Sequence, residues 1–331
     1  MKMKHIVRLC LGLVLMATGC EKVVEFDIED QEPLVVVNCK AVDGDSVWVE
    51  VTMSKFFLSD GEDMPRVTDA DCRMWFNGEE VAGAAAGETP TAPWSGPGWY
   101  RFDRKVEEGD TLKLKVTVPG HEPVTAQTVV PHKPAITSVD TTTVMDQYGG
   151  REMKIRFVLN DPADEHNYYW VRIRRHESEY GYYDYISDEY FTCEDMLLVN
   201  QTDVISMIGG MGTTFEGEDL FFTDEKINGQ AHNIELSFYN YWLYNYEEGT
   251  PGEDDSYAEL ILEVASLSED MYRYLMTTRG FNDLDELFGE AVQVYNNIEN
   301  GVGILGGVSV KQYRLAQYVY QNDYDYITNA K

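Results

Sequence analysis

The residues of this sequence that could take part in catalysis do not form a catalytic pattern. There is no HExxH metal motif, no GxSxG nucleophile turn, no phosphate-binding P-loop and no GxGxxG after a predicted strand. The histidines outside the first 20 residues lack the three- or four-residue spacing of a helical metal site; they are His121, His132, His166, His176 and His232. The sequence therefore predicts a protein that is not an enzyme and that needs no cofactor or metal.

Carboxylates leave one enzymatic alternative open. The chain has 58 Asp and Glu residues, and two of them could meet in space and hydrolyse a glycosidic bond. No local motif singles out such a pair. A surface hydrolase therefore stays an alternative interpretation.

Residues 1–19 have the composition of an export signal. Lys2, Lys4 and Arg8 form a basic start. The apolar run that follows, residues 6–16, is far shorter than the roughly 20 residues that a membrane-spanning helix needs. The segment is therefore predicted to be a signal peptide and not an anchor helix.

A cysteine follows this segment directly. The stretch LVLMATGC, residues 13–20, resembles the lipobox of bacterial lipoproteins, in which cleavage before the cysteine is coupled to acylation of its thiol. We therefore predict cleavage between Gly19 and Cys20 and lipid attachment at Cys20. Each buried methylene of the acyl chains would contribute about 0.8 kcal/mol to membrane binding. The alternative is an ordinary signal peptide that is cut elsewhere, followed by an incidental cysteine.

The mature chain would be strongly acidic. Residues 1–19 hold three basic and no acidic residues, so their removal leaves 23 Lys and Arg against 58 Asp and Glu, a net charge near −35. Such a field repels nucleic acids and anionic lipid surfaces, and we expect neither as a partner. The EF-hand spacing is absent, and acidic runs such as GEDDS, residues 252–256, are typical of solvated loops.

Three cysteines remain for the folded protein: Cys39, Cys72 and Cys193. Disulfides persist in exported proteins, and Cys39 and Cys72 both lie in predicted strands of one domain, so a Cys39–Cys72 disulfide is one interpretation. Buried free cysteines are the other, because the sequence does not fix the separation of the two residues.

An immunoglobulin-like β-sandwich is predicted for residues 33–131, after an acidic tether at residues 20–32. Predicted strands recur about every ten residues, a rhythm that is typical of β-sandwiches. The pairs Asp43-Gly44 and Asn77-Gly78 are hairpin-turn signals between such strands.

Residues 132–331 are predicted to form a second β-rich domain, sandwich- or barrel-like, with one helix. Alternating apolar residues indicate strands, for example at residues 153–159. Residues 177–229 break this pattern with Tyr-rich, acidic and Gly-rich pieces, which predicts long loops with short strands. The helix is expected near residues 267–279, with Ser266 and Glu269 as a capping box and Gly280 as the stop.

Aromatic residues are the candidate contact residues. Tyr and Trp offer large, rigid area with a polar tip, which suits recognition surfaces. The predicted set comprises tyrosines of the second domain and two tryptophans in a Pro/Gly-rich loop of the first: Tyr180, Tyr182, Tyr183, Tyr185, Tyr190, Trp94 and Trp99. Interleaved with Asp and Glu, they indicate contact with a partner protein or a polar ligand. The alternative is that they cover the ends of β-sheets.

A glycine-rich segment, NGVGILGG at residues 300–307, has two interpretations. It predicts a close-packed turn or strand bend that the fold requires. The alternative is a tip that inserts into a partner.

Several segments together resemble a lipoprotein family known as domain of unknown function 4249. They are the lipobox with CEKVVEFDIED, the strand EPLVVVNC, the segment NDPADEHNYYWVRI, the helix SLSEDMYRYL and the closing AVQVYNNIENGVGILGG. The resemblance implies an exported lipoprotein of Gram-negative bacteria that often accompanies TonB-dependent outer-membrane receptors. It implies no catalytic residue.

We therefore expect a non-catalytic outer-membrane lipoprotein that is anchored through Cys20. Its expected role is that of an accessory or ligand-binding partner of a TonB-dependent transporter in nutrient uptake, on either face of the outer membrane. An adhesin or envelope-structural protein is the alternative from a different class, beside the surface hydrolase.

Overall fold

The computed structural model describes nine stretches of the chain: residues 32–55, 64–85, 96–145, 151–179, 183–199, 214–239, 246–251, 256–288 and 293–320. At residues 179, 183–184, 246–247 and 279–288 only the backbone is described. The described residues form three β-sheets of ten, five and four strands, with two α-helices. The predicted mostly-β class is confirmed.

The first unit is a sandwich of eight strands: Val35–Val42 (β1), Ser46–Met53 (β2), Asp71–Phe76 (β3), Glu79–Ala82 (β4), Ala84–Ala85 (β5), Trp99–Lys105 (β6), Thr111–Thr117 (β7) and Val124–Val129 (β8). The order β1-β2-β6-β5 makes one sheet face and β4-β3-β7-β8 the other. Val49, Phe102 and Leu114 are among the buried residues of the core between them. The predicted β-sandwich is confirmed.

Both predicted hairpin turns are also confirmed. Gly44 has a φ of 84° between β1 and β2, and Asn77 and Gly78 have φ values of 52° and 88° between β3 and β4. Two successive residues with positive φ are what a type I′ turn requires, and Asn-Gly adopts it at low cost.

The second unit contains the remaining elements: Ala135–Met145 (β9), Arg151–Asn160 (β10), Tyr168–Glu179 (β11), Tyr183–Glu189 (β12), Phe191–Cys193 (β13), Met196–Val199 (α1), Phe215–Gly217 (β14), Asp219–Thr223 (β15), Ala231–Tyr239 (β16), Tyr246–Glu248 (β17), Tyr257–Leu267 (β18), Glu269–Phe288 (α2) and Val302–Tyr320 (β19). The sheet β14-β13-β16-β10-β9 packs on β12-β11-β18-β19. Phe157, Phe238 and Leu262 belong to the core between the two sheets.

The last strand, β19, joins the two units. It runs parallel to β1, from the pair Val36–Val302 to the pair Val42–Val308, and antiparallel to β18 over the rest of its length. Leu305 is buried in the first core and Tyr318 in the second. The ten-stranded sheet therefore continues through both units, so the predicted boundary between residues 131 and 132 does not separate two sheets.

The glycines of β19 are required by close packing. Gly303 has a φ of 123°, and a Cβ atom there would overlap the carbonyl oxygen of Val37 in β1. A Cβ at Gly306 would lie 2.5 Å from Cε of Met271, and one at Gly307 would lie 2.8 Å from the carbonyl oxygen of Val129. The interpretation as a close-packed strand is therefore confirmed, and these glycines are not a protruding tip.

Helix α2 is confirmed, but its predicted ends are wrong. The cap is Ser268, whose Oγ accepts a hydrogen bond from the backbone N–H of Met271 at 3.3 Å, whereas Ser266 is buried in β18. The helix continues past Gly280 to Phe288. A glycine lowers helix stability by about 1 kcal/mol relative to alanine, which is not enough by itself to end a helix.

The start of α2 is fixed to β19. The Ser268 N–H donates to the Gly307 carbonyl at 2.9 Å, and the Gly307 N–H donates to Ser268 Oγ at 3.0 Å. Met271 then packs with Ile304 and Val308 on the outer face of the ten-stranded sheet. Among the described residues, no helix combines the length and the apolar composition needed to cross a membrane.

We predict that Gly303→Ala destabilises the protein by about 3 kcal/mol or more, because the side chain is incompatible with both the positive φ and the Val37 carbonyl. Gly249→Ala is the control, since its Cβ would lie 3.6 Å from Val319, an ordinary contact. Urea denaturation of the purified protein measures both variants. A Gly303→Ala variant as stable as wild type would contradict the close packing of β1 and β19.

Candidate functional site

The predicted contact residues are divided between the two units. Tyr185 lies in β12 and Tyr190 at the turn from β12 into β13, whereas Trp99 begins β6 in the first unit. Trp94, Tyr180 and Tyr182 lie outside the described residues, and only the backbone is described at Tyr183. Gly19 and Cys20 also lie outside them, so cleavage and lipid attachment stay predictions.

Two of these positions correct the sequence prediction of loops. Tyr183 and Tyr185 belong to a strand, since β12 pairs with β11 and places Tyr185 opposite Glu177. Tyr185 and Ile186 are 59% and 50% exposed, although neighbouring residues of a strand point to opposite faces. An edge strand that is exposed on both faces lacks the alternation by which strands are recognised. Trp99 likewise begins a strand and not a loop.

A cleft of about 550 Å³ lies at the corner where β12 leaves the ten-stranded sheet and β13 enters the five-stranded sheet. Strands of both sheets contribute to its walls. Its lining residues are Arg175, Asp188, Glu189, Tyr190, Phe191, Thr192, Glu216, Ser237 and Tyr239. Of the predicted contact residues, the structure places Tyr190 in this cleft.

Exposed aromatic rings mark the mouth of the cleft. Tyr190 is 65% exposed and Tyr239 is 38% exposed. Phe191, by contrast, is buried and packs on Phe215 with a ring-centroid separation of 5.3 Å. The apolar core thus supports the floor of the cleft, while the two tyrosines are exposed to solvent. Sequence reasoning missed Tyr239, which stands at the end of the regular strand β16.

The cleft has one cation, and it is already paired. Arg175 Nε lies 2.8 Å from Glu189 Oε1, and Arg175 Nη1 lies 3.4 Å from Glu177 Oε1. Asp188 lies 3.3 Å from Arg174 on the neighbouring strand. Glu216 is exposed and forms no ion pair with any described residue. The lining therefore carries an excess of negative charge, centred on Glu216.

The structure decides between the two interpretations of the cysteines, and the Cys39–Cys72 disulfide is not formed. Cys39 on β1 and Cys72 on β3 are free and lie in opposite sheets of the first sandwich, each packed in its apolar core. Burial raises the pKa of both thiols to about 12, and that of Cys193 to about 11. Protonated, buried thiols are unreactive, so the alternative of structural cysteines describes the protein.

The histidines and acidic residues form no metal centre within the described part of the chain. No group of three or more His, Cys, Asp or Glu residues there is placed to hold a metal ion. His232 is instead partly buried and pairs with Asp195, with Nε2 and Oδ2 2.5 Å apart. Asp195 Oδ1 also accepts the N–H of Leu197 at the start of α1, so this pair anchors a short helix to β16.

A second polar cluster, which sequence reasoning missed, connects β10 to β11. Tyr169 Oη donates to Asp161 Oδ1 at 2.6 Å, and the Gly229 N–H donates to Asp161 Oδ2 at 2.9 Å. Asp224 accepts the N–H of Asn167 at 2.9 Å. All of these carboxyl oxygens face inward and are bonded to the loops on both sides. The cluster therefore stabilises the connection between β10 and β11.

Tyr169→Phe is predicted to destabilise the protein by about 1–3 kcal/mol, because the buried Asp161 carboxyl loses a donor. Burial raises the pKa of Asp161 above its value in the unfolded chain. The stability that this carboxyl contributes is therefore present at low pH and is lost as the pH rises through its raised pKa. The hydrogen bond from Tyr169 favours the ionised form of the Asp161 carboxyl. The free energy of unfolding should therefore fall more in Tyr169→Phe near about pH 7 than near about pH 4.

Urea denaturation at the two pH values measures this effect, with Tyr185→Phe as the control because its ring is exposed. An equal destabilisation of Tyr169→Phe at both pH values would contradict the role of the hydroxyl as a donor to an ionised Asp161.

The comparisons with known proteins identify the family of the chain. No curated protein matches it. A family model described as "Domain of unknown function (DUF4249)" matches residues 21–314, a range that includes the cleft and most of β19. The match covers far more than half of the sequence. The chain therefore belongs to the DUF4249 family.

Proposed function

We propose that this protein is a non-catalytic, lipid-anchored outer-membrane lipoprotein that serves a TonB-dependent transporter as an accessory or ligand-binding partner. The observation that carries the proposal is the cleft at the β12–β13 corner, with its exposed Tyr190 and Tyr239 rings. Exposed aromatic side chains beside a cleft are typical of binding surfaces. The choice of a TonB-dependent partner rests on the association that the family resemblance implies.

The chemistry of the cleft favours binding over catalysis. Glu189 and Asp188 are engaged by arginines, which leaves Glu216 as the lining carboxylate that has no ionic partner among the residues that the structure describes. Glycoside hydrolysis uses two carboxyl groups with different roles, an acid and a base or nucleophile. One unpaired carboxylate beside tyrosine rings suits recognition of a polar ligand.

The predicted lipid at Cys20 would make a weak interface sufficient. Eleven residues, 21–31, separate it from the first described residue, Glu32. An extended chain spans at most about 3.3–3.6 Å per residue, so the folded units would stay within about 40 Å of the membrane surface at their attachment point. Confinement to the membrane raises the effective concentration of a partner in the same membrane.

The continuous sheet favours a second candidate, an adhesin or envelope-structural protein. The ten-stranded sheet passes through both units, which makes the molecule suitable as a stiff spacer. An adhesin predicts loss of attachment with normal growth on every nutrient after deletion. A transporter accessory predicts the reverse, a growth defect on the transported nutrient with normal attachment.

The lipid anchor is tested with Cys20→Ala. We expect this variant to leave the membrane fraction, because it lacks the thiol that would carry the predicted acyl chains. Fractionation of cells that produce either form, followed by immunoblotting, measures the distribution. Retention of Cys20→Ala in the membrane fraction would contradict the anchor.

The partner is tested with Tyr190→Ala. Purification of the lipidated wild-type protein from outer membranes in mild detergent should recover a TonB-dependent receptor, identified by mass spectrometry. Removal of the exposed ring should reduce this recovery by about ten-fold or more, the scale of a hot-spot residue.

Two controls make this result specific. Tyr190→Phe retains the ring and should retain most of the recovery, and Met64→Ala removes an exposed apolar side chain from the first unit and should change nothing. Equal recovery with Tyr190→Ala and wild type would remove the cleft from the proposal, and recovery of the protein alone would favour adhesion.

A further inference from the structure

We infer that the cleft at the β12–β13 corner receives a cationic group, a guanidinium or ammonium group of its ligand or partner. This inference rests on the proposed binding function of the same site. It concerns the chemical class of the group that enters the cleft between Tyr190, Tyr239 and Glu216.

The first argument is the charge of the lining. Three carboxylates, those of Asp188, Glu189 and Glu216, line the cleft together with one guanidinium, that of Arg175, and Asp188 is paired with Arg174 outside the lining. Arg175 is shared between Glu189 at 2.8 Å and Glu177 at 3.4 Å, so it offers little attraction to an anion. Glu216 has no ionic partner among the described residues. A cation entering the cleft would provide one.

The second argument is the nature of the rings. A tyrosine face carries negative electrostatic potential and attracts ammonium and guanidinium groups within about 6 Å of its centre. Tyr190 and Tyr239 expose their rings at the same cleft that carries the carboxylates. Aromatic faces together with a carboxylate form the combination that recognises lysine, arginine and amines.

Around the lining, the cations Lys154 and Arg174 are paired with Glu152 and Asp188, and further carboxylates lie nearby. The pKa of Glu218, two residues beyond Glu216, is raised by burial and by the negative charges of Asp219 and Asp188. The whole chain carries a formal net charge of −32, which increases the local concentration of cations. An anionic ligand would have to overcome both fields.

The test is a titration of the purified protein with two peptides that differ in one group, a charged guanidinium or a neutral urea of nearly the same shape. The probes are acetyl-Gly-Arg-Gly-amide and the same peptide with citrulline in place of arginine, which keeps the shape and removes the charge. Calorimetry or NMR shift mapping measures the affinities. We expect the arginine peptide to bind at least about ten-fold more tightly, with an affinity that falls as salt is added.

Substitutions then locate the site. Glu216→Gln removes the charge with little change of volume and should reduce the affinity for the arginine peptide by about ten-fold, as should Tyr190→Ala. Glu122→Gln is the matched control, because Glu122 is an exposed residue between β7 and β8 of the first unit. It should bind like wild type.

Equal binding of the arginine and citrulline peptides, no binding of either, or an unchanged affinity in Glu216→Gln would overturn the inference. These outcomes are separable from failure of the proposed function. If the receptor is still recovered in a Tyr190-dependent manner while Glu216→Gln has no effect, the cleft binds a neutral group and only the cationic class is wrong.

Discussion

The parallel pairing of β19 with β1 is the constraint on which the rest of the structure depends. Strands that are 266 residues apart, at Val36 and Val302, must meet before either sandwich is complete. The pairing places Gly303 against the Val37 carbonyl, while Gly307 exchanges hydrogen bonds with Ser268 at the start of α2. Ser309 donates to the Pro131 carbonyl at 2.6 Å, which fixes the segment between the two units to the same strand. The two units are therefore parts of one continuous architecture.

Local sequence patterns predicted the elements that have either a characteristic turn residue or one buried and one exposed face. The hairpins at Asp43-Gly44 and Asn77-Gly78 and the alternating strand β10 could be recognised because each has a turn residue or a buried face. The continuous sheet through both units could not be predicted, because the pairing between β1 and β19 joins distant parts of the chain and the glycines are its only local sequence feature. The predicted contact tyrosines stay a prediction, and β12 was not recognised as a strand because Tyr185 and Ile186 are both exposed.

The cleft combines buried aromatic residues in its floor with exposed tyrosines. Phe191 and Phe238 lie in the core beneath it and belong to strands that pair with each other. Tyr190 lies between β12 and β13, where the chain passes from one sheet to the other. Its side chain is exposed to solvent there. In contrast, both carboxyl oxygens of Asp161, in the polar cluster with Tyr169 between β10 and β11, accept hydrogen bonds. Buried polar groups thus stabilise the scaffold, and exposed groups line the cleft for which we propose a role in recognition.

The most direct test of this account is photo-crosslinking in intact cells, with a photoreactive phenylalanine analogue at position 190 and, as reference, at position 64. The account predicts that position 190 forms a specific crosslink to an outer-membrane receptor and that position 64, in the first unit, does not. Crosslinking at neither position, or the same products from both, would contradict a recognition site at the β12–β13 corner.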